Sequence, residues 1–142
     1  YFKENHTQAE CDTIIKYAEK SLMDDPFDLR QMSFLIYAYR EKKKNNMANI
    51  NQYKLNHLLE AIVSTGTGLD KDNAWVVINP QHEYNLLNFK NYIAESQEDA
   101  PPHFDYITVK QKDSKDPKGF YFNVRYVLEE YYRKFPDELN QE

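Results

Sequence analysis

Residues 104–124 constrain this chain more than any other stretch. Two runs, Phe104-Asp105-Tyr106-Ile107-Thr108-Val109-Lys110 and Gly119-Phe120-Tyr121-Phe122-Asn123-Val124, are rich in β-branched and aromatic residues. Between them Lys112-Asp113-Ser114-Lys115-Asp116-Pro117-Lys118 collects turn formers, so the spacing predicts a β-hairpin. A helix should follow at once: Val124, Val127, Leu128, Tyr131, Tyr132 and Phe135 recur at i, i+3, i+4, i+7, i+8 and i+11, a single stripe of period 3.6. That stripe needs an apolar surface to cover, and the hairpin face, with helices from earlier in the chain, is the nearest.

Those earlier helices are legible by the same test. Thr7-Gln8-Ala9-Glu10 has the form of a capping box, and Cys11, Ile14, Ile15, Ala18 and Leu22 mark the buried face of the helix behind it. It should stop at Asp24-Asp25, because the residue before Pro26 is pushed out of the helical region. A second helix is expected to restart with Pro26 near its first position, its stripe being Leu29, Met32, Leu35, Ile36 and Tyr39. Lys42-Lys43-Lys44 reads as a solvated last turn opposing the negative end of the helix dipole. A third helix runs from Met47 to Val63, burying some of Ile50, Leu55, Leu58, Leu59 and Ile62, with Gly66 as its stop. Ala74-Trp75-Val76-Val77-Ile78-Asn79, apolar on both sides, reads as a central strand that Pro80 interrupts. For residues 81–89, periodicity leaves an extended run and a helical turn open, and Asn91 to His103 reads as a polar, mobile connection.

At 142 residues the chain fits one domain. A domain of that size buries about 70% of the surface its unfolded chain exposes, so no staples are needed. Tyr, Phe and Trp number 12, 8 and 1, so much of the core volume must be aromatic. A net charge of −5 argues against a nucleic-acid binder, which needs a basic face. The single Cys11 cannot form an internal disulfide and reads as a buried thiol. No run is long enough to span a membrane. A start at Tyr1 instead of Met carries the expectation that an upstream piece has been removed.

No catalytic signature in the sequence is complete. Thr65-Gly66-Thr67-Gly68 lacks the Lys-Ser/Thr of a phosphate loop. Asp70-Lys71-Asp72-Asn73 opens like a calcium loop but has Trp75 where Gly is required and Gln81 in place of the closing Glu. His82-Glu83 begins like a zinc-protease helix, yet the second ligand position is Leu86. His6, His57, His82 and His103 have no ligand spacing, so no metal and no cofactor are expected. What is left is a loose set, His82, Glu83, His103 and Asp105, able to meet if their strands are neighbours. A His beside a carboxylate is a general base, and the competing reading is a structural hydrogen-bond cluster tying loop to sheet.

Two resemblances add to this. Ser21 to Pro26, followed by Met32, Leu35, Ile36 and Tyr39, resembles the joint between two tetratricopeptide repeats, over roughly residues 14–62, with Ile36 where that family prefers a small residue. It implies a helical hairpin of protein-binding type. Asp25-Pro26-Phe27-Asp28-Leu29, Phe34-Leu35-Ile36-Tyr37-Ala38-Tyr39, Leu58-Leu59-Glu60-Ala61-Ile62, Ala74-Trp75-Val76-Val77-Ile78, His82-Glu83-Tyr84 and both hairpin runs together resemble a Bacteroidetes family catalogued as domain of unknown function 4919. That resemblance implies an exported or lipid-anchored protein, secreted or periplasmic, and no established activity. The chain departs from the family pattern after Leu87, where Asn88-Phe89-Lys90-Asn91-Tyr92 replaces a Leu-Gly-Leu segment.

The expectation is therefore an α+β fold and a single domain over residues 1–142: a tetratricopeptide-like hairpin plus a third helix within residues 1–68, packed on a small mainly antiparallel sheet with a C-terminal helix within residues 69–142. The expected role is a non-enzymatic protein-interaction or envelope-accessory module with a protein partner and a groove lined by Tyr37, Arg40 and Tyr53. The alternative is a small hydrolase-like site around His82, Glu83 and Asp105. A third option, a carbohydrate surface using Tyr121, Tyr131 or Trp75, rests on aromatic abundance. Oligomeric state is left open.

Overall fold

The computed structural model describes residues 5–139. Its elements run α1 (Gln8–Asp24), α2 (Leu29–Glu41), α3 (Asn45–Val63), β1 (Trp75–Val76), α4 (Pro80–Phe89), β2 (Ala94–Ala100), β3 (Phe104–Val109), β4 (Gly119–Asn123), α5 (Arg125–Lys134) and α6 (Pro136–Leu139). The class is α+β, as expected: three helices, then a mixed four-stranded sheet and C-terminal helices. The chain divides into two compact units, residues 1–58 and 59–142.

In the first unit the cap of α1 forms as the sequence predicts, Thr7 Oγ1 accepting from the Glu10 amide at 3.1 Å. The helix ends where Asp25 becomes extended ahead of Pro26. Pro26 does not open α2. It lies in a turn, and Asp28 takes the cap, accepting from the Gln31 amide at 3.0 Å. An Asp side chain supplies the acceptor that free helical amides need, whereas proline only avoids adding another donor. Cys11, Ile14 and Ala38 form one buried cluster with Phe34 and Tyr37 against it; Ala18, Leu35, Tyr39 and Ala48 form a second. Each fully buried large apolar side chain contributes roughly 1.5–3 kcal/mol. Lys42 is half-buried and pairs with Asp12 of α1, so the lysine run is not wholly solvated.

The sheet of the second unit has the order β1-β4-β3-β2. Strands β3 and β4 are the expected hairpin, with Tyr106 opposite Tyr121 and Asp105 opposite Phe122. Strand β1 is shorter than expected and lies at the edge, parallel to β4, with Trp75 opposite Phe122. The apolar run reads as central because Trp75 and Val77 are buried, while Ile78 is 57% exposed. Trp75 stacks on Phe120 with ring centroids 4.9 Å apart and donates from Nε1 to the Gly66 carbonyl at 2.9 Å.

Residues 80–89 are helical. Asn79 accepts from the Gln81 amide at 2.9 Å, and Pro80 fills the first turn, where its missing amide costs nothing. The polar stretch expected to be a loose connection contains β2, antiparallel to β3. An edge strand with five consecutive exposed residues carries no apolar alternation, so period-2 reading misses it. Helix α5 follows β4 as predicted, but none of its residues is fully buried: Val127, Leu128 and Tyr132 are half-covered, and Tyr131 and Phe135 are exposed.

Candidate functional site

Two places in the molecule carry features beyond a packed core. The first is in the helical unit. Leu22, Pro26, Phe27, Met32, Asn51, Tyr53, Lys54, His57 and Leu58 line an open cavity of about 510 Å³, walled mainly by carbon. It arises because the turn through Pro26 and Phe27 projects Phe27 outward, 45% exposed, beside one face of α3. On that face Tyr53 is 64% exposed and lies 3.9 Å, centroid to centroid, from the His57 ring. Asn51 is buried and donates to the Met47 carbonyl at 2.9 Å, so its amide is committed to the helix.

Of the three residues expected to line a binding groove, Tyr53 lines this cavity. Tyr37 is half-buried, and its hydroxyl meets His6 Nδ1 at 2.8 Å. Burial, then the charge of Glu41, raises its pKa. Arg40 donates to Gln52 Oε1 at 3.2 Å. Neither of these two lines the cavity.

The second place is in the sheet unit. Residues of β3 alternate between faces, and Asp105, Ile107 and Val109 share one. Helix α4 buries Glu83, Leu86 and Leu87. Glu83 is 0% exposed, and among the described residues neither of its side-chain oxygens has a hydrogen-bond donor other than a proton on the carboxyl pair itself. It faces Asp105 within hydrogen-bonding range, and two carboxyl groups can bond only when one of them carries the proton. Burial, and then the charge of Asp105, pushes the Glu83 pKa up to about 9. An acid in the first turn of a helix gains about 0.3–1 kcal/mol from the dipole, less than one pKa unit, so burial decides. Asp105 is also raised, first by burial; its bond with Glu83 lowers it and Asp99 raises it.

Asp105 has a second partner. Gln97 of β2 donates to its Oδ2 at 3.2 Å, and the Gln97 carbonyl accepts from the Tyr84 hydroxyl. The chain of bonds is polarised toward Asp105, the Tyr84 hydroxyl feeding Gln97 and the Gln97 amide feeding Asp105. Sequence alone does not single out Gln97, because it lies on a strand with no alternation to announce it. Its register opposite Ile107 puts it on the Asp105 face, a relation visible only once β2 is paired.

His82 is buried in the same helical turn. His103 has its ring 4.4 Å from Phe104 and lines a cavity with Arg125, Leu128 and Tyr132. Trp75 is buried, and Tyr121 is stacked on Tyr106 at 4.6 Å. Among the described residues no cluster of three His, Cys, Asp or Glu side chains could hold a metal ion, and no helix is long and apolar enough to cross a membrane.

A helices-first α+β chain with an apolar cleft in one unit and, in the other, a fully buried carboxyl beside a half-buried one is the class that fold and sites define. The chain belongs to the family described as domain of unknown function DUF4919, whose model matches residues 1–133. No curated protein and no solved structure matches it.

Proposed function

We propose that the chain is a non-enzymatic protein-interaction module whose helical unit takes an apolar segment of a partner protein into the cleft beside Tyr53. The supporting observation is the cleft itself: about 510 Å³, apolar, and edged by an exposed aromatic ring of the kind that dominates protein interfaces. The tetratricopeptide-like spacing of α1 and α2 supports the same reading, since such hairpins serve as protein-binding units. Export to the periplasm or surface, with or without a lipid anchor, belongs to this proposal and is supported by the family resemblance.

A photo-crosslinking residue placed at Tyr53 should capture a defined partner in cells, while the same residue at exposed Lys115 of the β3–β4 turn should not. Replacing Phe27, an exposed residue lining the cleft, by Glu should abolish capture while leaving the melting curve unchanged. Equal capture from both positions would sink the proposal.

One feature favours the hydrolase-like alternative: a fully buried carboxyl whose pKa burial raises, beside a second, half-buried carboxyl, is an acid/base arrangement. Glu83 is sealed from solvent, which leaves half-buried Asp105 as the accessible member. Hydrolysis of ester or glycoside substrates that disappears in Asp105→Asn, with the melting curve unchanged, would replace the interaction reading.

A further inference from the structure

We propose that Glu83 and Asp105 share a single proton and together form a pH-operated latch that fastens α4 to the β2–β3 half of the sheet. The geometry carries the argument. Glu83 is fully buried on the inner side of α4, and among the described residues both its oxygens lack any donor apart from the carboxyl pair. Asp105 stands on the sheet face that holds Ile107 and Val109, and from β2 it receives the Gln97 amide at 3.2 Å. The Tyr84 hydroxyl, on the same helix as Glu83, closes the ring of contacts by donating to Gln97. Helix and strands are thus tied twice, once through the amide and once through the proton. The first tie survives any pH at which Tyr84 keeps its hydrogen; the second exists only while one carboxyl is protonated.

Among the described residues the charges that shift the pair are negative, and the buried imidazole of His82 precedes Glu83 in the same helical turn. Asp105 of β3 acts on Glu83, and Asp99 of β2, directly opposite Asp105 in the ladder, acts on Asp105. From the same helix Tyr84 adds a phenol whose own ionisation is pushed upward by burial and then by both carboxyls. When the proton leaves for solvent, Glu83-COOH and Asp105-COO⁻ become two adjacent carboxylates, one fully buried and one half-buried. Among the described residues no charge that shifts either carboxyl offsets the repulsion, so the joint opens and α4 separates from β2 and β3.

Carbon NMR of the Glu83 side-chain carboxyl in the full chain tests the first half: its resonance should still report a protonated acid at neutral pH. Titration in the ordinary glutamate range would overturn the latch. Amide hydrogen exchange tests the second half. Relative to α1 and α2, which serve as internal standards, exchange in residues 80–89 should accelerate at least tenfold as the Glu83 resonance titrates. In Glu83→Gln, whose amide donates to Asp105 without titrating, the extra acceleration should vanish; its persistence would overturn the proposal. Should that variant fail to fold, Asp105→Asn serves instead, and the Glu83 titration should then move down because the neighbouring charge is gone. An unmoved titration there would count against a shared proton.

Discussion

Glu83 sits in the first turn of a helix, where a carboxylate is ordinarily welcome, and is nonetheless fully buried, with no cation among the described residues shifting it. The consequence for stability has a definite sign. A folded-state pKa of about 9 against an ordinary 4.5 means the native chain holds a proton that the unfolded chain releases. The stabilisation is full below about pH 4.5 and is lost progressively as pH rises toward 9. At pH 7 the loss is on the order of 3 kcal/mol, so Glu83→Gln should raise the urea midpoint at neutral pH and flatten its decline between mildly acid and alkaline buffer. A midpoint lowered by the substitution at every pH would contradict this. Gly68 makes a different demand. Its φ is +73°, and a Cβ there would approach Trp75 Cε3 to 2.8 Å. Gly68→Ala should therefore cost roughly 1–3 kcal/mol, read as an earlier loss of the Trp75 fluorescence signal on denaturation.

At the level of elements, α4 depends on its cap. Asn79 holds the Gln81 amide, and Asn79→Ala should lower stability by about 1 kcal/mol in chemical denaturation, with little effect on the rest of the sheet unit. Elements whose signal is local were legible in the sequence. The stripes of α1, α2 and α3 show the helical period, and the hairpin announces itself by two β-rich runs around a turn. Elements whose signal is tertiary were not. Strand β2 is polar on both faces because it is an edge, and only its ladder with β3 makes it a strand. Residues 80–89 were ambiguous because Pro80 both breaks a strand and opens a helix; the Asn79 cap decides between them. The candidate site followed the same rule. Glu83 and Asp105 could be named from the sequence as groups able to meet, whereas Gln97, whose position depends on register, could not.

For the whole molecule, the continuity of α3 bears on the expectation of a single domain. The helix places Ala48 in the core of the first unit, and its later residues Leu59 and Ile62 belong to the second. We propose that the units unfold together, because melting either one would strip apolar cover from part of one continuous helix. Far-ultraviolet circular dichroism, weighted toward the helices, and fluorescence of Trp75, which reports the sheet, should give coincident transitions. Two separated midpoints would establish two independently folding parts.

Strand β2 leaves one row of peptide groups at the margin of the sheet unspoken for, and along that margin stand Glu95, Glu98 and Asp99, all exposed. Mutual repulsion keeps two such margins from being stitched together. In acid, where those side chains lose their charge, the guard is withdrawn, and solutions of this protein should turn cloudy as molecules join strand to strand into ribbons; replacing the three acids by Gln should bring the same cloudiness at neutral pH.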